Sequence, residues 1–244
     1  MKRSFVTTAI FSAAIFFVAT TPPTTAIADN GNAPTTMSFF SGGAGAHADW
    51  FVTADQPPGD IDRQAIRLIT TNGFPTYEQG YAGILFHHVE GIPAEAFPDS
   101  EFWNKAPAGP TLGSPRLVVA FQDAAGQFTG YGALRQNARL TNNWEQVSDV
   151  SMYPNSAWDV MGGPCVYMYN VQWPIVQNCF SGQTVLTAYI VADAYGIYHL
   201  IDDITVNGKT FSSARDNGNG NNTSAGPDAT TDPSLLPPIP ITIP

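Results

Sequence analysis

The sequence predicts an all-β fold, a two-sheet jelly-roll sandwich with one short helix and a disulfide. Three observations predict it. Apolar side chains recur every second residue in short runs, which is the period of a half-buried strand. Those runs end in Gly, Pro, Asn or Asp at the intervals of a sandwich or barrel. The regularly interleaved amphipathic helices that a βαβ architecture requires are absent from the pattern.

In chain order, Ser38-Phe39-Phe40 and Trp50-Phe51-Val52-Thr53 are short aromatic and β-branched runs. The segment Gln64 to Thr70 alternates, with Ile66 and Leu68 on one face, and ends at the turn pair Asn72-Gly73. Ala82 to Val89 is a further strand, stopped by Gly91-Ile92-Pro93. Arg116 to Phe121 is nearly continuous apolar and therefore central. Thr184 to Ala192 is the clearest buried strand after it, and Leu200 to Val206 is the last, before the tight turn Asn207-Gly208. Trp173 to Cys179 reads otherwise. Pro174 suits a first helical turn and Gly182 follows closely enough to cap it, so a helix of one or two turns is expected.

Residues 1–28 have the layout of a secretory signal peptide: Lys2 and Arg3, an apolar stretch from Phe5 to Val18, then Ala26-Ile27-Ala28 before Asp29. The rival is a membrane anchor, for which the apolar run is short. Residues 29–36 read as a short flexible segment, 37–212 as the β-sandwich domain, and 213–244 as a disordered tail rich in Pro, Asn and Gly. Asn221 and Asn222 each begin an N-x-S/T sequon in that tail. The expectation is a secreted, extracellular protein with no membrane span once the signal is removed.

Charged residues are 12% of the chain and the net charge is −10. The ten Lys and Arg form no cluster, which excludes the basic stripe that nucleic acid or an anionic membrane surface requires. The two cysteines, Cys165 and Cys179, favour a disulfide in an oxidising compartment. Zinc is the alternative, and no His lies between or close to them.

The closing Leu200-Ile201-Asp202-Asp203-Ile204-Thr205-Val206 resembles the terminal Tyr-Ile-Asp-Asp-Val strand of galactose-binding-like jelly rolls. That group includes many carbohydrate-binding modules of secreted bacterial enzymes. Leu140-Thr141-Asn142-Asn143-Trp144-Glu145-Gln146-Val147 is similar to their Thr-x-x-Trp-x-x-Val strand, and Gln64 to Leu68 to their early core strand. The insert from Cys165 to Cys179 is not part of the common pattern. The resemblance implies a structural calcium, with a ligand from the Asp-Asp strand, and sugar binding on aromatic loop or sheet residues.

The residues themselves offer several constellations. Strict alternation puts Leu200, Asp202, Ile204 and Val206 on one face, aiming Asp202 inward, where an unpaired carboxylate is costly. Calcium would resolve this, with Asp60 and Asp62 as partners; hydrogen bonds from loop N–H groups would resolve it equally. His87 and His88 are adjacent on a strand and face opposite ways, so they do not chelate one ion. Glu78, Glu90, Glu95, Asp99 and Glu101 could supply a glycosidase pair. Trp103, Tyr153, Trp158 and Trp173 lie in or beside segments rich in Gly, Pro and Asn, where exposed rings hold the apolar faces of sugars; the alternative is that they plug the ends of the sandwich. Asn155, Asn170 and Gln172 would add hydrogen bonds. Three functions follow: a non-catalytic protein binding polysaccharide or cell-wall glycan, a structural or interaction protein of the envelope, and a secreted glycoside hydrolase.

Overall fold

The computed structural model describes residues 33–43, 45–71, 80–109, 113–137, 139–149, 156–193 and 198–217. The expected signal peptide, the Asn72-Gly73 turn, Tyr153, Asn155 and the chain beyond Asn217 lie outside them.

The strands are β1 (Thr36–Gly42), β2 (His47–Val52), β3 (Gln64–Ile69), β4 (Tyr81–His87), β5 (Glu101–Lys105), β6 (Arg116–Gln122), β7 (Phe128–Gln136), β8 (Glu145–Ser148), β9 (Ser156–Gly162), β10 (Tyr167–Val171), β11 (Thr184–Ala192), β12 (Tyr198–Val206) and β13 (Lys209–Phe211). They form two antiparallel sheets. The larger runs β1-β4-β11-β6-β7-β9-β10, and the smaller β2-β3-β12-β5-β8 with β13 on β12. The chain passes repeatedly from one sheet to the other, so the sandwich is closed by sequence-distant pairs. The predicted all-β sandwich with one α-helix, α1 (Trp173–Cys179), is the observed fold.

Between the sheets lies the core, with Ile66, Leu68 and Ile201 from the smaller sheet facing Phe86, Phe121, Leu134 and Ile190 from the larger. Central β6 is buried along nearly its whole length, as its continuous apolar pattern requires. The Asn207-Gly208 turn has both residues at positive φ, 51° and 72°, the backbone that a two-residue hairpin between twisted strands demands.

Helix α1 starts with Pro174 in its first turn and buries Trp173, Val176 and Cys179. The disulfide Cys165–Cys179, with Cα atoms 5.5 Å apart, fastens it to the turn between β9 and β10. Strand β7 passes close beneath it: a Cβ on Gly132 would lie 2.6 Å from Val176 Cγ1. The glycines that blur β7 as a strand signal in the sequence are thus demanded by packing.

Candidate functional site

Trp158 sits within β9 and Trp173 opens α1, and they are 0% and 3% exposed. Their rings lie 4.5 Å apart, and Trp173 also meets Phe97 and Phe121. The Trp173 indole N–H donates to the Phe97 carbonyl at 3.0 Å. The sequence left these two tryptophans, in or beside loops, open as exposed sugar-stacking rings or as plugs of the sandwich; the structure places them in the core, because two large apolar faces are what fills the space between α1 and the sheets. Trp103 lies apart from them, half-buried on β5, on the outer face of the smaller sheet opposite Gln146 and Asp202. Tyr153 lies outside the described residues. Trp103, Trp158 and Trp173 therefore form no common surface.

Asp202 also departs from strict alternation. Ile201, not Leu200, faces the core, and Leu200 and Asp202 pair across the outer face with Lys105 and Trp103. A bulge follows at Asp203, whose φ is +43°, and it returns Ile204 and Val206 to the core side. Asp202 is nonetheless only 1% exposed. Its Oδ1 accepts the Asp203 N–H at 2.8 Å. Asp60 Oδ1 accepts the Asp62 N–H at 3.1 Å, and Asp62 Oδ1 the Gln64 N–H at 2.8 Å. In each of the three, Oδ2 is buried with no hydrogen-bond partner among the described residues.

Burial, then the nearby charges of Asp60, Asp203 and Asp62, push the Asp202 carboxyl up to about 9. Burial and Asp60 also raise Asp62, and burial together with Asp60 and Asp62 raises Asp203. The predicted trio thus shares one electrostatic neighbourhood, and its donor set of spare carboxylate oxygens suits a hard cation. Among the described residues, no three acidic, His or Cys side chains converge closely enough to enclose an ion as they stand.

The feature not read from the sequence is the outer face of the larger sheet. Registers place Phe40, Gly83, Val191, Arg116 and Arg135 in one row of outward side chains. The next row holds Leu85, Tyr189, Val118, Ala133 and Asp159. A third holds Ala120, Tyr131, Met161 and Tyr167. Several of these side chains make a second, buried apolar cluster, separate from the core, in which Tyr189 is 3% and Val191 0% exposed; half-buried Tyr81 and Tyr131 flank it. Gly83 is required here: a Cβ would lie 2.3 Å from the ring of Phe40, which in turn sits 6.2 Å from both Tyr81 and Tyr189.

On edge strand β10, Met168 packs against the core, so Tyr167 and Tyr169 point to the outer side, where they are 64% and 58% exposed. From β4 to β10 the tyrosines span five strand spacings, about 24 Å at about 4.8 Å each.

The polar groups of this face are held in place. Arg116 pairs with Asp193, and Arg135 with Asp159, Nε to Oδ2 at 2.5 Å. Asp159 Oδ1 also accepts the Asn170 N–H at 3.0 Å, and Asn137 Nδ2 donates to Asn170 Oδ1 at 3.1 Å. Asn170, at φ +56°, occupies a bulge of β10. Burial holds the hydroxyls of Tyr131 and Tyr189 above the ordinary phenol range, so both remain O–H donors. The accessible rings of Tyr81, Tyr131, Tyr167 and Tyr169, with charge-matched Arg–Asp pairs beside them, have the chemistry to stack on apolar ring faces and hydrogen-bond neutral hydroxyls. The sequence carried one usable signal: Tyr167 and Tyr169 at i, i+2, flanking a residue with a core-like side chain.

Among solved structures, the chain is similar to the family 11 carbohydrate-binding module of the cellulosomal cellulase Lic26A-Cel5E of Clostridium thermocellum. The identity is 12%, covering 70% of this chain and 86% of that one, with a TM-score of 0.38. A family 11 module from Clostridium thermocellum in complex with a β-1,3-1,4-mixed-linked tetrasaccharide is similar over 70% of this chain and 88% of the other, at 12% identity and a TM-score of 0.37. A family 30 carbohydrate-binding module is similar over 81% and 89%, at 11% identity and a TM-score of 0.40. No family model and no curated protein matches the chain.

Proposed function

We propose that this chain is an exported, non-catalytic glycan-binding protein whose site is the tyrosine-bearing outer face of the larger sheet. One observation carries the reading: the accessible rings of Tyr81, Tyr131, Tyr167 and Tyr169 come from three strands of one sheet and share a face with two Arg–Asp pairs. Sugar rings present apolar faces edged by hydroxyls, and this face offers the complement of both. Asp159 and Asp193 are each engaged by a guanidinium, which fixes both carboxylates as polar anchors of the face.

Under this reading a calcium ion would draw in the carboxylates of Asp60, Asp62 and Asp202 and serve a structural role. It would neutralise the clustered carboxylates and fix the loop before β3 against β12, on the sheet opposite the tyrosines.

The test is affinity electrophoresis in gels containing mixed-linkage β-glucan, xylan or galactomannan, with pull-downs on cellulose, chitin and peptidoglycan. The folded protein is expected to be retained on at least one of them. Because Tyr167 and Tyr169 are exposed, Tyr167→Ala with Tyr169→Ala should leave the melting temperature in place and weaken retention about tenfold, a loss of about 1.4 kcal/mol. Retention on none of the polymers would sink the reading.

A further inference from the structure

Tyr131, Met161 and Tyr167 stand side by side in one row of outward side chains on β7, β9 and β10. The Tyr131 hydroxyl donates to the Met161 sulfur at 2.8 Å. Met161 is partly exposed. The other described methionines are engaged elsewhere. Met37 is buried in the core; Met168 packs against it, with its sulfur 3.8 Å from Cys179 Sγ. Among the described residues, then, only Met161 brings a thioether to the tyrosine face.

We propose that Met161 is an oxidation-sensitive control point of this face: a peroxide converts its thioether to the sulfoxide, and the face then loses affinity for glycan. This rests on the reading of the face as a glycan site. One sulfur lone pair is engaged by Tyr131, and the other is the nucleophile. It attacks an oxygen of hydrogen peroxide; the O–O bond breaks and an S–O bond forms. The transferred oxygen gives its proton to the departing hydroxide, which leaves as water. Sulfur is oxidised by two electrons and the peroxide is reduced by two.

The consequence follows from hydrogen-bond strength and polarity. A thioether is a weak acceptor, so the Tyr131 O–H remains free to turn to a ligand hydroxyl. A sulfoxide oxygen is a strong acceptor and holds that proton. It also sets a polar, chiral group between two rings that otherwise continue one apolar surface.

The experiment uses the full chain, graded hydrogen peroxide, and retention in gels containing mixed-linkage β-glucan, xylan or galactomannan, with peptide mass mapping of each methionine. Met161 is expected to gain one oxygen before Met37 and Met168, with retention falling about fivefold in step. Methionine sulfoxide reductase should restore it. Met161→Leu protein, compared with its own untreated sample, should keep its retention through the same peroxide series. Retention that survives full conversion of Met161 overturns this proposal alone, as does an equal loss in Met161→Leu. If the untreated protein is retained on none of the polymers, the glycan reading falls and this proposal falls with it.

Discussion

A carboxylate oxygen buried without a partner is among the most costly atoms a fold can contain, and among the described residues Asp60, Asp62 and Asp202 each contribute one. In metal-free protein the raised Asp202 pKa means that the native state favours the protonated acid. The sign follows: this group opposes folding progressively as pH rises from about 4 towards about 9. A cation bound there, as proposed, would reverse the balance. Calcium at saturating concentration is therefore expected to raise the melting temperature by several degrees over protein in chelator. Asp202→Asn should abolish that rise while melting no lower than wild type in chelator at neutral pH. A wild-type melt that ignores calcium removes the ion from the account.

The tryptophans make the contrasting residue-scale prediction. Trp158→Ala empties the space against Trp173 and should cost about 3–5 kcal/mol in urea unfolding. Retention on glycan should fall only with the folded fraction, unlike the exposed tyrosine substitutions.

The β9–β10 hairpin and α1 act as one element. The disulfide joins Cys165, at the hairpin turn, to Cys179, at the end of the helix. Asp149 accepts the Trp173 N–H at 2.9 Å where the helix begins, and Gln177 donates to the carbonyls of Ala94, Glu95 and Phe97. The helix is too short to persist without such ties. Closing a loop of 14 residues' separation restricts the unfolded chain. Replacing both cysteines by Ala should therefore lower stability by about 3 kcal/mol, read as a shift of the urea midpoint. A midpoint within error of wild type would show that the neighbouring hydrogen bonds suffice. Tyr167 and Tyr169 ride on this hairpin, so the same tie holds the outermost rings of the tyrosine face.

Across the whole molecule, a polar chain joins the two sheets through the apolar interior. His199 Nδ1 donates to Asn104 Oδ1 at 3.1 Å, Asn104 Nδ2 to Gln136 Oε1 at 3.0 Å, and Gln136 to the half-buried Glu145. The Asn104 amide, donating onward to Gln136, leaves its oxygen as acceptor and so puts the His199 proton on Nδ1. Nε2 is buried and unpartnered among the described residues. Burial drives the His199 pKa down to about 3, so below pH 6.5 the unfolded chain takes up a proton that the native state refuses. Stability contributed here is full at neutral pH and is lost as pH falls through that window, by about 1.4 kcal/mol per unit. His199→Gln should remove this sensitivity. Between pH 6.5 and about 4.5, the stability gap between wild type and variant should narrow by roughly 3 kcal/mol in urea titrations. A gap that stays constant would mean that His199 is protonated in the folded protein.

By itself the sequence determined the class of fold, most of the strands with clear alternation, the helix at Trp173–Cys179, the Asn207-Gly208 hairpin and the pairing of the two cysteines. Those features are written in local period, turn chemistry and count. Strands β5, β7, β9 and β10 were hidden, because their glycines and mixed polarity answer to neighbours far away in the chain. The candidate sites divided the same way. That Asp60 and Asp62 lie near Asp202 was legible, but the side of β12 that bears Asp202 was set by a bulge, which alternation cannot foresee. Aromatic type alone could not separate Trp158 and Trp173, which fill the interior, from the tyrosines that share the outer face. Only the tertiary structure decided that, since which side of a strand faces water depends on the second sheet packed against it.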